Sequence, residues 1–449
     1  MVNNIPENIK ELMQKLIINK FEAYIVGGAV RDILLDTPPK DYDIFTNATG
    51  EQILKIFPKG VVIGNEERQN KILTVIVNGV EISQYRKSGD RTQTGNTLKE
   101  HINTCDLTIN AIAMNINGEI IDYVNGKDDL TYIYGEDDCR VIKFVGNPQD
   151  RINEDLLRIL RALRFHAKYE IRIEEKTEEA IIKNISRLKE LPIERIREEI
   201  LKIINSNGIG ILLYYKVLNL FIPELTPLLT LDGGKYHNEL VYVHCVNSLN
   251  NSQQLTNNYL IHLACLFHDI GKQNSERNDD NEITFPKHDI YGSEIVKTIM
   301  HRLKFSESEI AYVTTMVKHH MMGNVDKIND RRLIKIVTEL EDAKISVEDM
   351  LILTYCDMQA NSKKERLKFN EFYQQNNWLK RVYKMKYEKQ PFRVTDLAID
   401  GHDMIKLGFK GKAIGDILKL IFEIVIDGEL KNERGVLLNH VKTICIHTN

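Results

Sequence analysis

Phe21-Glu22-Ala23-Tyr24-Ile25-Val26-Gly27-Gly28-Ala29-Val30-Arg31-Asp32 is the stretch that decides the fold of the first part of this chain. An apolar run ends on two glycines, and a helical-looking Ile33-Leu34-Leu35 follows. The glycines therefore fall at a strand-to-helix turn, where backbone can come close to a ligand. The free N–H groups of the following helix, with Arg31 beside them, suit phosphate groups. A double glycine alone is a weak signal. It gains weight from Lys40-Asp41-Tyr42-Asp43-Ile44-Phe45, because side chains two apart on an extended strand share a face. The carboxylates of Asp41 and Asp43 are thus expected to point the same way and to favour a divalent cation; with Mg²⁺ they would hold a triphosphate beside an attacking hydroxyl, as two-metal phosphoryl transfer requires. An isolated pair of this kind is more often a turn aspartate plus a helix cap, and the glycine turn upstream reverses that balance. Glu81, in Val80-Glu81-Ile82-Ser83-Gln84-Tyr85-Arg86, is a candidate third carboxylate or, equally, a cross-strand partner of Arg86.

Outward from this point, Phe21 to about Asp122 reads as short β-rich runs separated by turns: FEAYIVGG, YDIF, VVIG, ILTVIVNG and VEISQYR. After Asn147-Pro148, apolar residues recur three and four apart, as in DLLRILRALRF and IERIREEILKII, so the rest is expected to be almost wholly helical. The expected fold class is an α/β head on a mixed sheet followed by an all-α neck, body and tail. Asp232-Gly233-Gly234 and the polar stretch Asn361 to Lys368 mark further boundaries, and Asn278 to Glu282 is a short acidic loop. The 449 residues suit about two to four domains. Composition, 43% hydrophobic and 28% charged with ten prolines, is that of a mostly folded chain. The most apolar stretch, Ile209 to Leu225, is broken by Lys216 and Asn219, which excludes a membrane span there. Met1 to Lys10 lacks the basic start and apolar core of a secretory signal, so a cytoplasmic location is expected. Six cysteines without CxxC spacing are expected to be reduced thiols, mostly packed inside. With a net charge of -4, nucleic-acid binding would need basic residues gathered on one face.

Three further constellations carry chemistry. Asp155 and Arg158, three apart on an expected helix, are neighbours on one face. A carboxylate accepts from the exocyclic amine of cytosine or adenine while a guanidinium donates to the adjoining ring acceptor, and uracil and guanine present the reverse pattern. Such a pair would choose C and A; in an arbitrary sequence it is a plain helical ion pair. Arg161 and Arg164 extend a basic stripe. Farther on, His268-Asp269 ends an apolar helix in LACLFHDIGK, and His244, His288, His319, His320 and Asp357 stand in helical-looking segments around it. They supply enough N and O ligands for one or two first-row divalent metals, and only one of His319 and His320 is needed. Finally, Lys406, Lys410 and Lys412 cluster in a glycine-bearing loop before a helix starting near Ala413, placed either to grip phosphates or as a solvated loop.

GGAVRD, KDYDIFTNAT, DLTINAIAMN (106–115) and NEDLLRILRALRF (153–165), in that order, resemble the class II tRNA nucleotidyltransferases, the CCA-adding enzymes and their bacterial poly(A) polymerase relatives. The HDIGK segment with its histidines resembles the HD superfamily of metal-dependent phosphohydrolases, and Leu397 to Leu438 resembles the tail of bacterial CCA-adding enzymes. The resemblance implies a nucleotidyltransferase head at 1–147, a helical neck with the template at 148–232, an HD domain at 233–360 and a tRNA-binding helical tail at 361–449. It implies that Asp41 and Asp43 are the metal-binding catalytic carboxylates and that Gly27, Gly28 and Arg31 contact the triphosphate. Asp106 matches the aspartate of a ribose-recognising Arg-Arg-Asp motif, with Thr104 and Cys105 in place of the arginines, so contacts made by those arginines are lost or supplied elsewhere. Asp155 and Arg158 match the amino-acid template, Arg161 and Arg164 extend toward the triphosphate, and Glu194 to Glu199 brace the neck. The implied substrates are tRNA, CTP and ATP. Mg²⁺ is implied in the head, and a transition metal such as Mn²⁺, Ni²⁺ or Fe²⁺ in the HD domain, acting on a 2',3'-cyclic phosphate or phosphomonoester at an RNA end. The expected function is CCA addition to tRNA. Alternatives are a poly(A) polymerase, an enzyme adding only CC or only A, or an RNA-end repair phosphohydrolase with an impaired head. An RNA chaperone is disfavoured because binding needs no paired carboxylates.

Overall fold

The computed structural model describes residues 5–63, 73–87, 90–131, 140–206, 215–321, 328–364 and 366–447. The chain divides into two compact units, Met1–Ser206 and Asn207–Asn449. The second unit begins inside the stretch expected as neck.

The first unit opens with α1 (Glu7–Ile18), which buries Ile9, Leu12, Met13 and Leu16 at helical spacing. β1 (Tyr24–Val26), α2 (Gly28–Leu34), β2 (Asp43–Thr46), α3 (Gly50–Ile56), β3 (Val61–Ile63), β4 (Thr74–Val77) and β5 (Val80–Gln84) follow. A ribbon of β6 (Arg86–Lys87) and β7 (Asp90–Thr94), then α4 (Leu98–Ile102), β8 (Ile112–Met114), β9 (Ile120–Asp122) and α5 (Gly126–Leu130), complete the head. The sheet order is β3-β4-β5-β2-β1-β8-β9. It is mixed: β2 runs parallel to β5, and the other pairs are antiparallel. β1 and β2, which carry the glycine turn and Asp43 at their ends, are thus interior strands, with Ile25 and Ile44 fully buried. The strands β8 and β9 and the ribbon lay outside the runs expected from periodicity. β8 and β9 have three residues each, too few alternations to read, and β7, Asp-Arg-Thr-Gln-Thr, has no apolar residue to alternate.

α6 (Pro148–Glu154) is capped by Asn147, whose side chain accepts from the Gln149 and Asp150 amides, with Pro148 at the first helical position. The single helix expected through Asp155 and Arg158 is corrected. Asp155 is extended, with φ -161 and ψ 106, and α7 begins only at Leu157 and runs to Tyr169. The Asp155 carboxylate accepts from the Leu157 amide at 3.1 Å, a short-range bond that competes with helix continuation. α8 (Glu175–Asn184) and α9 (Ile193–Ile204) follow; α7 packs on α9, which buries Ile196, Ile200 and Ile203.

In the second unit, helix Val241–Gln253 packs against Tyr259–Phe267 and Val347–Ala360, and His288–Arg302 packs against Glu307–His319. The expectation of an almost wholly helical region needs one correction: Glu276–Arg277 and Ile283–Thr284 pair as a ribbon around the acidic loop. The last helices, Gly401–Lys406, Lys412–Ile426 and Arg434–His447, close over a core of Met404, Ile421, Leu437 and Val441. No described helix is long and apolar enough to cross a membrane. Cys245, Cys265 and Cys356 are free and buried and Cys105 is half-buried; Cys139 lies outside the described residues.

Candidate active site and metal centre

Gly27 has φ +90 and ψ -124, backbone that only glycine adopts without strain, and its N–H donates to the Ile112 carbonyl at 3.1 Å. This turn starts α2 at Gly28. Asp43 opens β2 and stands opposite Glu81 on the parallel strand β5. Asp41 lies in the exposed segment before the strand, so the two aspartates do not share one strand face as the spacing predicted. Their fields still meet. Burial, then Glu81, then Asp41 push the Asp43 carboxyl up to about 6. The register therefore sets Glu81 beside Asp43.

A cavity of about 420 Å³ is lined by Gly27, Gly28, Arg31, Asp43, Asp106, Asp155, Arg158 and Arg161. Asp106 is its hinge. Its Oδ1 accepts from the Leu107 amide at 2.8 Å and from Asn110 Nδ2 at 3.1 Å, and its Oδ2 pairs with Arg161. Burial opposes the charge on Asp106, but Arg161 and these donors hold its pKa below the usual carboxylate value. Asn110 passes the network on, since its Oδ1 accepts from Arg31 Nη1 at 2.5 Å. Arg31 also donates to Asp32 and lies 4.8 Å from the Phe165 ring centroid.

The template pair is split. Arg158, 2% exposed, donates to Glu154 at 2.7 Å, to the Arg151 carbonyl at 3.1 Å and to the Thr104 carbonyl at 2.9 Å. Asp155 instead pairs with Arg195 at 3.2 Å. Both border the cavity without facing each other as an ion pair. At the Thr104 departure the main-chain carbonyl anchors Arg158, a contact any residue would offer, and the threonine hydroxyl donates to the His101 carbonyl at 2.7 Å. Arg164 is held by Glu199 at 2.9 Å, and Lys202 reaches the same buried carboxylate at 2.8 Å, so Arg164 is tied to α9 and does not line the cavity.

Arg86, His101, Asn110, Phe165 and Arg195 also line the cavity and were not assigned to it from sequence. The His101 ring stacks on Phe45 at 4.1 Å, and burial, then Arg86, push its pKa down to about 3, so it is neutral. A lone histidine in an amphipathic segment carries no pattern by which this could be read.

In the second unit the structure gathers His244, His268, Asp269, His288, His320 and Asp357. Gly271 makes room: a Cβ there would lie 2.0 Å from the His288 carbonyl oxygen, so glycine lets the segment after Asp269 nest against the start of the next helix. The Nδ1 atoms of His268, His288 and His320 face the carbonyls of Cys265, Phe285 and Val317 at 2.8, 2.8 and 2.7 Å. A carbonyl only accepts, so each Nδ1 carries the proton and each Nε2 lone pair points inward. There it meets other acceptors. His268 Nε2 is 3.4 Å from Asp269 and 3.5 Å from Asp357, His288 and His320 are 3.2 Å apart through their Nε2 atoms, and Asp269 Oδ1 is 3.5 and 3.6 Å from those two rings. His268 Nε2 is buried without a hydrogen bond. Acceptors converging on acceptors call for positive charge between them, and two triads at this centre, His244-His268-Asp357 and Asp269-His288-His320, have the spacing to hold cations, as does a third group on the far edge of His244, His237-Glu239-His244. Lys272, 2.6 Å from Asp269, supplies one compensating charge. His319 is not brought in: its Nε2 meets Glu339 at 2.8 Å. Lys406, Lys410 and Lys412 are all exposed, the last opening the helix Lys412–Ile426.

Residues 23–133 match the family described as "Poly A polymerase head domain", residues 170–229 "Probable RNA and SrmB- binding site of polymerase A", and residues 241–353 "HD domain". A head of this type followed by an HD domain defines the class. The chain is 37% identical over 220 residues to the CCA-adding enzyme of Staphylococcus saprophyticus, covering 47% of this chain and 53% of that protein. It thus spans about half the length of that relative. The CCA-adding enzyme of Lactococcus lactis is 28% identical over 458 residues, covering 98% of this chain and 99% of that protein. In fold, the chain is similar to the Bacillus stearothermophilus CCA-adding enzyme in complex with CTP, with a TM-score of 0.61, 21% identity and 98% of each chain covered. The chain therefore carries a poly(A) polymerase-type head and an HD domain, and over nearly its whole length it is similar to a CCA-adding enzyme.

Proposed function

We propose that this protein adds C, C and A to the 3' end of tRNA from CTP and ATP. The observation that carries the reading is Asp43, held close to Glu81 and Asp41 with its pKa pushed up to about 6, in the same cavity as Asp155 and Arg158. Asp43 lines the cavity, and the carboxylates of Asp41 and Glu81 that repel it supply oxygen donors that fit Mg²⁺. Bound by Asp41 and Asp43, it would supply charge stabilisation for phosphoryl transfer. Gly27, Gly28 and Arg31 would receive the triphosphate, Asp106 the ribose, and Asp155 with Arg158 the base edge; Arg161 orients Asp106. Base reading by Asp155 and Arg158 requires them to exchange their present partners for the nucleotide. Lys406, Lys410 and Lys412 would grip tRNA phosphates. The division into head 1–147, neck 148–232, HD domain 233–360 and tail 361–449 belongs to the same proposal.

The test is incubation of tRNA transcripts ending before C, after C and after CC with each nucleotide and Mg²⁺. Addition that stops at CCA is expected. A long A tail would make the protein a poly(A) polymerase, and incorporation confined to C or to A would make it a partial enzyme. A second reading, favoured by the acceptor-lined centre around Asp269, adds an HD phosphohydrolase activity on RNA ends, with Mn²⁺, Ni²⁺ or Fe²⁺ fitting the N and O donors. Phosphate release from an end bearing a 2',3'-cyclic phosphate or phosphomonoester should then be lost in Asp269→Ala and kept in Asp41→Ala.

A further inference from the structure

Three of the inward-facing imidazoles of the HD centre are held by main-chain carbonyls, and His244 is the exception. Its Nε2 lies 2.9 Å from the Asp357 carboxylate, so Nε2 can serve an ion only with the ring proton on Nδ1, and that nitrogen is buried with no hydrogen-bond partner among the described residues of the metal-free protein. Glu239 Oε1 lies 3.3 Å from it and 3.2 Å from Nδ1 of His237. The other oxygen of Glu239 accepts from the Ser362 hydroxyl at 2.6 Å. Ser362 lies just beyond the helix Val347–Ala360 that carries Asp357. One helix end therefore delivers both the carboxylate at His244 Nε2 and the clamp on the carboxylate at its Nδ1. A second link, from Lys363 Nζ to the Lys235 carbonyl at 2.8 Å, ties the same two segments.

We propose that Glu239, clamped by Ser362, is a positioning residue for the HD metal centre. When an ion occupies Nε2, Glu239 accepts from the Nδ1–H of His244, fixing the tautomer and ring plane so that Nε2 presents its lone pair to the ion. The proposal rests on the metal reading of that centre. Because Glu239 sits at the opposite edge of the ring from Asp357, it acts through His244 and does not reach the same ion. Outer carboxylates of this kind typically change metal affinity about 10–100-fold.

The test is titration of the full chain with Co²⁺ alone, reading affinity, number of ions and visible absorption, with Asp269→Ala as the control lacking the centre. Glu239→Ala is expected to weaken binding about 10–100-fold and to shift the absorption band, with the ion count unchanged. Glu239→Gln, whose amide oxygen still accepts, should fall between. Melting of the metal-free protein serves as the folding control. Should Glu239→Ala misfold, Ser362→Ala removes only the clamp and should weaken binding in the same sense. Unchanged affinity in Glu239→Ala, or in Ser362→Ala where that variant stands in, overturns the proposal; so does the loss of one ion from the count, which would make Glu239 a ligand. Failure of the metal reading is distinguishable, because wild type and Asp269→Ala would then bind Co²⁺ alike.

Discussion

Asp43→Asn should make the head both more stable and inactive. Asp43 has its pKa raised from 3.8 to about 6, so the folded chain holds its proton more tightly than the unfolded chain. The sign follows by linkage: this group favours folding below pH 3.8, and that contribution is lost as pH rises through about 6. Above that pH the ionised form has a cost of about 3 kcal/mol from the shift alone, reduced to about 1–2 kcal/mol by solvent screening of a half-buried group. Asparagine keeps the shape and removes the charge, so at pH 7.5 without Mg²⁺ the variant should gain about that amount. The sole tryptophan, Trp378, lies in the second unit, so its fluorescence does not follow the head. Amide exchange of β2 and β5 does. Those amides should exchange about 5–30-fold more slowly in the variant, the wild type should gain protection on adding Mg²⁺, and the variant should gain less. Nucleotide addition should vanish. Exchange as fast as in wild type, or surviving addition, would refute the argument that Asp43 is an uncompensated charge kept for a cation.

Arg158→Lys keeps the charge but loses the fork that holds Thr104 and Glu154, and it should lower discrimination of CTP over UTP about 10–100-fold in single-turnover assays; an equal loss for every nucleotide would leave Arg158 a structural role only. Glu199→Ala strands the half-buried Arg164 and should cost about 3 kcal/mol, seen as faster exchange of α7 and α9 amides in urea. His320→Ala should abolish one Co²⁺ site, whereas His319→Ala, which loses only Glu339, should leave the count unchanged. Gly27→Ala forces a side chain into φ +90 and should cost about 1–3 kcal/mol while weakening CTP binding in equilibrium dialysis.

The head was legible where chemistry is local. The glycine turn is visible because two glycines close an apolar run just before a helical one, and the HD histidines are visible because residue type and the HDIGK segment mark them. The choice between His319 and His320 was not, since adjacent residues on a helix face different ways and only the packing of Glu339 against one and Asp269 against the other separates them. His101, Asn110 and Glu239 were missed for the same reason: each is one polar residue whose meaning comes from a neighbour far away in sequence.

Sequence by itself determined the order of parts, the mixed-sheet head before the helices, and the identity of the carboxylates and imidazoles, because residue type and short-range spacing are properties of the chain alone. Tertiary structure alone decided what each charge faces: Asp43 beside Glu81 through parallel pairing of β2 and β5, Arg158 turned to the Thr104 carbonyl, Asp155 turned to Arg195. Electrostatic energy depends on distance and burial, and for these pairs both are set by segments about 40 to 50 residues apart in the chain that meet only when the fold closes.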